Sequence, residues 1–271
     1  MTHFGGFGDV SVAIDDEFVA TAEIRRPPHN YFDMALIQSL AAAFEALDAE
    51  PRCRAIVLCS EGKNFCAGAQ LAGPRERGPQ AGAPSDKGPG GAPPRHLYDE
   101  AVRLFSTRTP VVAAIQGAAI GGGLGLALMP DFRVAAPEAR FSANFARLGF
   151  HHGFGLSVTL PNLVGQQRAM ELLYTGGRIR AEEALEIGLC DRLAPLAELR
   201  SAAEKMAREI AGSAPLAVRS IRETLRGDLP ERIRAATDRE KAEQERLANT
   251  NDFKEGVRAM AERRPPNFTE S

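Results

Sequence analysis

The sequence predicts an α/β fold that ends in a helical region. In the first half of the 271-residue chain, short β-branched runs such as Ala55–Cys59 and Val111–Ile115 alternate with helical patterns. Strands separated by helices pair in parallel through crossover connections, which defines the α/β class. After Gln166 the pattern is helical throughout. We therefore predict a core over residues 1–195 and a C-terminal helical region over residues 196–271.

The N-terminal elements follow from hydrophobic periodicity and from flanking residues. Val10–Ile14 and Phe18–Ile24 are predicted as a pair of strands joined by an acidic turn. A helix is predicted over Met34–Glu50, because its apolar residues share one face. Asp33 is the expected N-cap residue, and Pro51 ends the helix.

The C-terminal elements are predicted as helices from their glycine stops and capping signals. Asp252 followed by Glu255 is interpreted as the capping box of the last helix, which ends at Arg263. These helices are too polar to form their own core, so we expect them to pack against the core or a neighbouring subunit. The other predicted helices are Gln166–Thr175, Ala181–Ile187, Leu196–Ala211, Pro215–Arg226 and Leu229–Ala248.

Composition excludes several classes of protein. Hydrophobic residues make up 44% of the chain, charged residues 25%, and the net charge is −2, which is an ordinary globular balance. The chain has no basic run, so no nucleic-acid partner is expected. The four cysteines form no CxxC pair and the N-terminus has no signal-peptide pattern, so we expect reduced thiols in a cytoplasmic protein.

One stretch, Val111–Met129, carries no charge and is about as long as a membrane span. It contains Gln116 and five glycines, and its strand-like first part changes to a helix-like second part. Lipid would meet unpaired backbone at that join. We therefore predict a buried strand, turn and helix, and no membrane partner.

Two stretches are candidates for a site built from main-chain N–H groups. In Val111–Leu126 (VVAAIQGAAIGGGLGL), a strand is followed by three glycines and a helix. The first turn of a helix leaves N–H groups without partners, and these suit an anion or a developing oxyanion. In Ala55–Leu71 (AIVLCSEGKNFCAGAQL), small residues before Gln70 expose further N–H groups. A tight turn that only packs a helix on the sheet is the alternative.

A nicotinamide-dependent oxidoreductase is a second alternative. The glycines Gly117, Gly121 and Gly123 have the spacing of a dinucleotide-binding turn, but they lie far from the N-terminus. None of the three tyrosines is followed four residues later by lysine, as the short-chain dehydrogenases require. Glycine motifs alone are weak evidence, so this function is disfavoured.

Four segments, in order and with matching spacing, resemble the crotonase superfamily, also called the enoyl-CoA hydratase/isomerase family. They are Arg25–Asn30 (RRPPHN), AIVLCSEGKNFCAGAQL, QGAAIGGGLGLAL and TGGRIRAEEALEIGLCDRL. The resemblance implies a spiral of ββα units with a C-terminal helical trimerisation region, in a homotrimer or a dimer of trimers. It also implies a coenzyme A thioester as substrate, with no separate cofactor.

The resemblance further implies an oxyanion hole. By position, the thioester carbonyl oxygen would accept hydrogen bonds from the N–H groups of Ala69 and Gly122. Ala67, Gly68 and Gly121 would line the substrate site beside these donors. Charge on the oxygen in an enolate or a tetrahedral intermediate makes such fixed donors effective.

The chain departs from the family at the two glutamates that hydratases use. Gly125 and Phe145 stand at those positions, so a two-glutamate hydratase is not expected, and Phe145 becomes a candidate for the acyl pocket. Replacing both by glutamate is expected to move the activity toward hydration. His152, where related dihydroxynaphthoyl-CoA synthases have a functional aspartate, is the candidate proton carrier, with His151 as the fallback. A structural role for both histidines is the alternative. No third ligand accompanies them, so no metal is expected.

Further contacts to substrate are predicted around these positions. Arg26 and Arg264 are candidates for the coenzyme's phosphates, the second from a neighbouring subunit, with solvated surface as the alternative. Tyr98 is a candidate for the acyl pocket. The segment Gly73–Pro94, rich in glycine and proline, is interpreted as a mobile loop or lid, or else as disordered decoration.

Two classes of function therefore stay open. The first is an acyl-CoA enzyme that hydrates, cleaves or isomerises through an enolate, or opens a β-diketone by a retro-Claisen step. The second is a protein of the same fold that binds acyl-CoA without converting it.

Overall fold

The computed structural model describes residues 2–70 and 96–271. These residues form an α/β structure, as predicted; the segment Gly73–Pro94 lies outside them. The strands are β1 (Thr2–Phe7), β2 (Val10–Ile14), β3 (Val19–Ile24), β4 (Ala55–Ser60), β5 (Val111–Ile115), β6 (Ala118–Ile120), β7 (Phe132–Ala135), β8 (Arg140–Ser142), β9 (Arg178–Arg180) and β10 (Arg192–Leu193). The helices are α1 (Met34–Ala49), α2 (Leu97–Phe105), α3 (Gly122–Leu128), α4 (Leu156–Val164), α5 (Gln166–Thr175), α6 (Ala181–Glu186), α7 (Leu199–Ala211), α8 (Pro215–Arg226), α9 (Leu229–Leu247) and α10 (Asn251–Glu262).

The larger sheet has an antiparallel and a parallel half. Its strand order is β1-β2-β3-β4-β5-β7-β10. The first three strands are antiparallel neighbours, and β3, β4, β5, β7 and β10 run in parallel. The predicted N-terminal strand pair is confirmed, but β3 begins one residue late because Phe18 adopts a φ of +66°.

Both faces of this sheet are buried, and side-chain alternation divides the core in two. Along β4, Ile56 and Leu58 belong to the core that contains α1, whereas Val57 and Cys59 belong to the core that contains α7. β4 and β5 are buried along their whole length, which explains their uninterrupted apolar sequences. Helix α7, although part of the predicted C-terminal region, thus covers one face of the sheet.

The prediction of a wholly helical region after Gln166 is wrong. β9 pairs antiparallel with β8, and β10 pairs in parallel with β7. These strands have three and two residues, so they show no periodicity of their own and form because partner strands lie beside them. β9 completes a smaller sheet with the order β6-β8-β9.

Most predicted helices are confirmed. The Asp33 carboxylate accepts the N–H of Leu36 at 2.9 Å and caps α1 as expected. The predicted bounds of α5 and α8 are confirmed, and α6 and α9 each end one residue earlier than predicted. Helix α7 begins after a short 3₁₀ turn at Leu196–Glu198.

The predicted capping box of the last helix is wrong. Thr250 is the N-cap residue of α10, and its hydroxyl accepts the N–H of Phe253 at 3.1 Å. The Asp252 carboxylate instead accepts the N–H groups of Thr269 and Glu270 in the C-terminal tail. The tail that engages Asp252 lies 17 and 18 residues further along the chain, so no local pattern indicates this contact.

The four cysteines are free and buried, as expected. Burial raises the pKa of Cys53, Cys59 and Cys66 to about 12. These thiols stay protonated and act as small apolar groups of the core.

Neither a membrane-spanning helix nor a metal-binding cluster is present in the described residues. No helix there is both long and apolar enough to cross a membrane. Nor do residues 2–70 and 96–271 hold a group of three or more side chains suited to binding a metal ion.

Asp131 ties helix α8 to the elements that carry the glycine-rich stretch. Its carboxylate accepts the N–H of Val111 at 2.8 Å. Arg222 and Arg226 of α8 both pair with the same carboxylate at 2.9 Å. Burial alone would raise the pKa of Asp131, but the charges and hydrogen bonds of its partners outweigh burial and lower it.

We predict that Asp131→Asn lowers the free energy of unfolding by about 3–5 kcal/mol, because two arginines lose their buried counter-charge. Since the folded pKa lies below the unfolded value of about 3.9, this contribution is present above that pH and is lost as the pH falls. Urea unfolding at neutral and acidic pH measures both effects. Asp16→Asn, at an exposed carboxylate, is the control. Equal stability of the two variants would contradict the prediction.

Candidate active site

The candidate site is centred on the N-terminus of α3. β6 leads through Gly121, whose φ is +58°, into the helix that begins at Gly122. The N–H of Gly121 donates to the carbonyl of Ser142 at 2.8 Å and ties the turn to β8. Every residue of α3 is buried, so this helix N-terminus lies inside the protein.

A second stretch of main chain runs beside this turn. Cys66 and Ala119 form a parallel bridge. The N–H of Cys66 donates to the carbonyl of Ala118 at 3.0 Å, and the N–H of Ile120 donates to the carbonyl of Cys66 at 3.1 Å. Main-chain hydrogen bonds thus hold the two predicted stretches side by side.

The register of this bridge leads to the two predicted donors. Ala69 and Gly122 each lie three residues after a bridge residue, so continued parallel register would bring them level. An ideal Cβ atom on Gly68 lies 3.8 Å from the Gly122 nitrogen, so the stretches stay close. Within residues 2–70 and 96–271, the N–H groups of Ala69 and Gly122 have no hydrogen-bond acceptor, whereas that of Ala67 donates to a carbonyl at 3.0 Å.

Only glycine fits at two positions of the turn. A Cβ atom on Gly122 would overlap the ring of Phe32, and one on Gly123 would overlap the carbonyl oxygen of Cys66. The constraint is steric, because neither glycine has a positive φ. The close approach of the two stretches therefore depends on Gly123, whereas Gly122 leaves room for the ring of Phe32.

Asn30 holds the approach to the first stretch and explains part of the RRPPHN motif. This residue is fully buried, with a φ of +49°. Its side-chain N–H₂ donates to the carbonyls of Glu61 and Asn64 at 2.8 and 2.7 Å. The loop before Cys66 is thereby attached to the N-terminal segment.

Phe154 fills the space beside Gly125. An ideal Cβ atom on Gly125 lies 2.7 Å from the Cβ of Phe154 and 2.9 Å from its Cδ1. The Phe154 ring is buried, with its centroid 5.7 Å from that of Phe32 and 6.3 Å from that of Phe105. A glutamate at position 125 would meet Phe154, so the expected shift toward hydration on replacing Gly125 and Phe145 by glutamate also requires Phe154 to move.

Phe145 packs beside Gly121, in the turn that leads into α3. It is 9% exposed, and its Cζ lies 3.7 Å from an ideal Cβ atom on Gly121. The residue therefore supplies apolar surface next to the start of α3.

His151 and His152 share one loop, and their rings stack with centroids 4.1 Å apart. Nε2 of His152 lies 2.8 Å from the Ser157 hydroxyl, and Nδ1 of His151 lies 2.8 Å from the His152 carbonyl oxygen. Burial, and then the neighbouring His151, lower the pKa of His152 to about 4, so its imidazole is neutral at neutral pH. Phe154, two residues later, contacts Gly125, so this loop passes about one helical turn from the α3 N-terminus.

Tyr98 of α2 faces the histidine loop. Its hydroxyl donates to Oε1 of Gln244 at 2.7 Å, and the Gln244 side-chain N–H₂ donates to the carbonyl of His151 at 2.9 Å. Burial raises the pKa of Tyr98, which keeps the phenol neutral. The structure thus brings Tyr98 together with the histidines, through a residue of α9.

Arg26 is engaged within the fold. Its Nε lies 2.5 Å from Asp9, and its Nη1 lies 2.8 Å from Asp33, the cap of α1. Its side chain is only 13% exposed. The positive charge of Arg26 is therefore balanced by two carboxylates, which does not favour the predicted contact to phosphate.

Arg264 lies near the C-terminus, two residues after the end of α10. It pairs with Glu255 at 2.6 Å and with Glu262 at 2.5 Å. Together with Lys254 and Arg258, it lines an open cavity of about 640 Å³ between α10 and the tail. This single chain does not bring Arg264 into contact with the residues of the two main-chain stretches described above.

Sequence reasoning missed Phe32, Phe154, Ser157 and Glu240. Phe154 stands between two glycines, a signal of an unusual backbone, and its φ is indeed +62°. Glu240 hydrogen-bonds to Ser157 across 83 residues of sequence, so no local pattern could reveal that contact.

Comparisons with known proteins show the family of this chain. The family model of enoyl-CoA hydratase/isomerase matches residues 15–271. The chain therefore belongs to the enoyl-CoA hydratase/isomerase family, within the crotonase superfamily.

Individual relatives cover most of the chain. A Thermus thermophilus protein that carries the name of an enoyl-CoA hydratase is 38% identical over 248 residues, which are 87% of this chain and 90% of that relative. A carnitinyl-CoA dehydratase of Salmonella paratyphi A is 33% identical over 247 residues, which are 89% of this chain and 91% of that relative. The crystal structure of an enoyl-CoA hydratase/isomerase from Pseudoalteromonas atlantica superimposes with a TM-score of 0.83 at 30% identity, covering 97% of this chain and all of that one.

We predict that Gly125→Ala destabilises the protein by about 1–3 kcal/mol, because the new methyl group meets Phe154. In a Phe154→Gly background the same change should instead stabilise by roughly 0.5–1 kcal/mol, the usual preference of a helix for alanine. Urea unfolding of the wild type, the two single variants and the double variant gives the coupling between the two positions. Equal effects of Gly125→Ala in both backgrounds would show that Phe154 does not fill this space.

Proposed function

We propose that this protein is an enzyme that acts on acyl-CoA thioesters and stabilises an enolate or oxyanion with the N–H groups of Ala69 and Gly122. The observation that carries the proposal is the pairing of the two glycine-rich stretches, with both N–H groups lacking acceptors in the described residues. The names of the relatives support a coenzyme A thioester as substrate. Ala67, Gly68 and Gly121 are proposed to line the site.

The chemistry of such a hole is electrostatic. Negative charge grows on the carbonyl oxygen as the thioester becomes an enolate or a tetrahedral intermediate. Donors held in place before the reaction stabilise this charge without reorganising, and one donor lowers the barrier by about 3–4 kcal/mol. The buried N-terminus of α3 adds the favourable end of a helix dipole.

The proton chemistry is proposed to differ from the two-glutamate mechanism. Phe154 occupies the space beside Gly125, and Phe145 is apolar, so neither position supplies a carboxylate. A neutral imidazole can accept a proton, and the lowered pKa keeps His152 in that form at neutral pH. We assign His152 the role of proton carrier, with His151 as the fallback.

This equipment is compatible with isomerisation, with cleavage, or with a retro-Claisen opening of a β-diketone. A non-catalytic acyl-CoA-binding protein is the second candidate, and the absence of both carboxylates favours it. Tyr98 and Phe145 are proposed for the acyl pocket, and Arg264 for the phosphates of coenzyme A. The four free thiols support a cytoplasmic location.

We also propose that the protein forms a homotrimer or a dimer of trimers through its C-terminal helices. Helix α8 turns its arginines toward Asp131 and exposes its apolar residues. Leu216 is 79% exposed, Ile221 59% and Leu225 81%. A stripe of this kind on a helix is a surface for association with further copies of the chain.

Gly122→Ala is predicted to lower kcat/KM by roughly 10²–10³, because the new methyl group overlaps Phe32 and displaces one donor. A panel of acyl-CoA thioesters, with mass spectrometry of the products, identifies the substrate for this measurement. Gly6→Ala is the matched control, since a Cβ atom there meets nothing within 4 Å. Full activity of a folded Gly122→Ala variant would remove the oxyanion hole from the mechanism. Calorimetric binding of acyl-CoA without any product would favour the binding protein.

Light scattering is predicted to give the wild-type protein three or six times the chain mass of 29.1 kDa. Leu216→Gln combined with Leu225→Gln should shift it toward the monomer, because the apolar stripe is interrupted. Leu196→Gln, at a leucine that is 51% exposed outside α8, is the control and should leave the mass unchanged. A monomeric wild type would contradict the proposed assembly.

A further inference from the structure

One buried carboxylate, Glu240 of α9, is connected to the histidine loop. It is fully inaccessible to solvent. Its Oε2 accepts the N–H of Gly155 at 2.9 Å, and its Oε1 accepts the N–H of Ser157 at 3.0 Å. These are N–H groups at the start of α4, which has no side-chain cap of its own. Glu240 therefore caps α4 from a distant part of the chain.

The same carboxylate also reaches His152 through a hydroxyl group. The Ser157 hydroxyl lies 2.7 Å from Oε1 of Glu240 and 2.8 Å from Nε2 of His152. A serine hydroxyl has one proton to donate and can accept further hydrogen bonds. The chain of contacts is thus Glu240, Ser157 and His152.

The protons available along this series of hydrogen bonds select one tautomer of His152. Burial raises the pKa of Glu240, but its three contacts, with the N–H groups of Gly155 and Ser157 and with the Ser157 hydroxyl, act against that rise and suit a carboxylate that accepts the Ser157 proton. Ser157 can then only accept from His152, so the neutral imidazole carries its proton on Nε2 and its lone pair on Nδ1.

His151 has the opposite arrangement. Its Nδ1 lies 2.8 Å from the carbonyl oxygen of His152, and a carbonyl oxygen only accepts. The neutral ring of His151 therefore carries its proton on Nδ1 and its lone pair on Nε2. The two stacked histidines differ in which nitrogen can take up a proton.

We propose that Ser157 and Glu240 are positioning residues that hold His152 as the Nε2–H tautomer and leave Nδ1 as the proton acceptor. This inference rests on the proposed function for its catalytic meaning, but the tautomer itself is a property of the free protein. Glu240, which caps α4, thus also orients His152 through the Ser157 hydroxyl. A proton taken up at Nδ1 places a positive charge two hydrogen bonds from the Glu240 carboxylate, which stabilises that charge.

Long-range ¹H–¹⁵N NMR correlations of the histidine rings test the tautomer directly, without substrate. His152 of the wild-type protein should show the proton on Nε2. Ser157→Ala keeps Glu240 and its contacts to the main chain, so it tests the connection with α4 still capped. In this variant His152 should become a mixture of both tautomers, and Ser157→Thr should restore the single form.

With the substrate found by the thioester panel, Ser157→Ala should lower kcat by about tenfold or more with little change in KM, and Ser157→Thr should recover most of the rate. A proton on Nδ1 of His152 in the wild type, or an unchanged tautomer in Ser157→Ala, would overturn the proposal. So would an unchanged kcat in Ser157→Ala. If no thioester is converted, the proposed function fails on that result, while the NMR experiment still decides the tautomer.

Discussion

The close pairing of two main-chain stretches, residues 66–69 and 119–122, is the constraint on which the rest of the site depends. The parallel bridge from Cys66 to Ala119 joins the starts of the two connections that follow the neighbouring parallel strands β4 and β5. Because Gly123 lacks a side chain, the two stretches reach a distance that a Cβ atom would prevent, since it would overlap the carbonyl oxygen of Cys66. Both predicted donors are main-chain groups, so the fold itself, not side-chain identity, determines where they point.

Aromatic packing then shapes what surrounds these donors. Phe32 lies against Gly122, and Phe154 lies against Gly125 and the rings of Phe32 and Phe105. The same residues that enforce glycine in α3 also remove the space for a carboxylate there. A side chain at position 125 would therefore require Phe154 to change as well, because this bulky neighbour already occupies the volume.

The C-terminal helices contribute directly to the core and to the candidate site. Helix α7 covers one face of the larger sheet. Helix α9 supplies Gln244, which contacts Tyr98 and the histidine loop, and Glu240, which caps α4.

The sequence by itself determined the α/β class, the bounds of most helices, the free thiols of the core and the two glycine-rich stretches, because each depends on local periodicity, capping or composition. It did not reveal strands β9 and β10, which have three and two residues and exist only beside partner strands. Nor could it show that Phe154 fills the space at Gly125, that Arg26 is paired with two carboxylates, or that Glu240 reaches Ser157. These contacts join residues far apart in the chain, and only the packing of the whole fold decides which side chains meet.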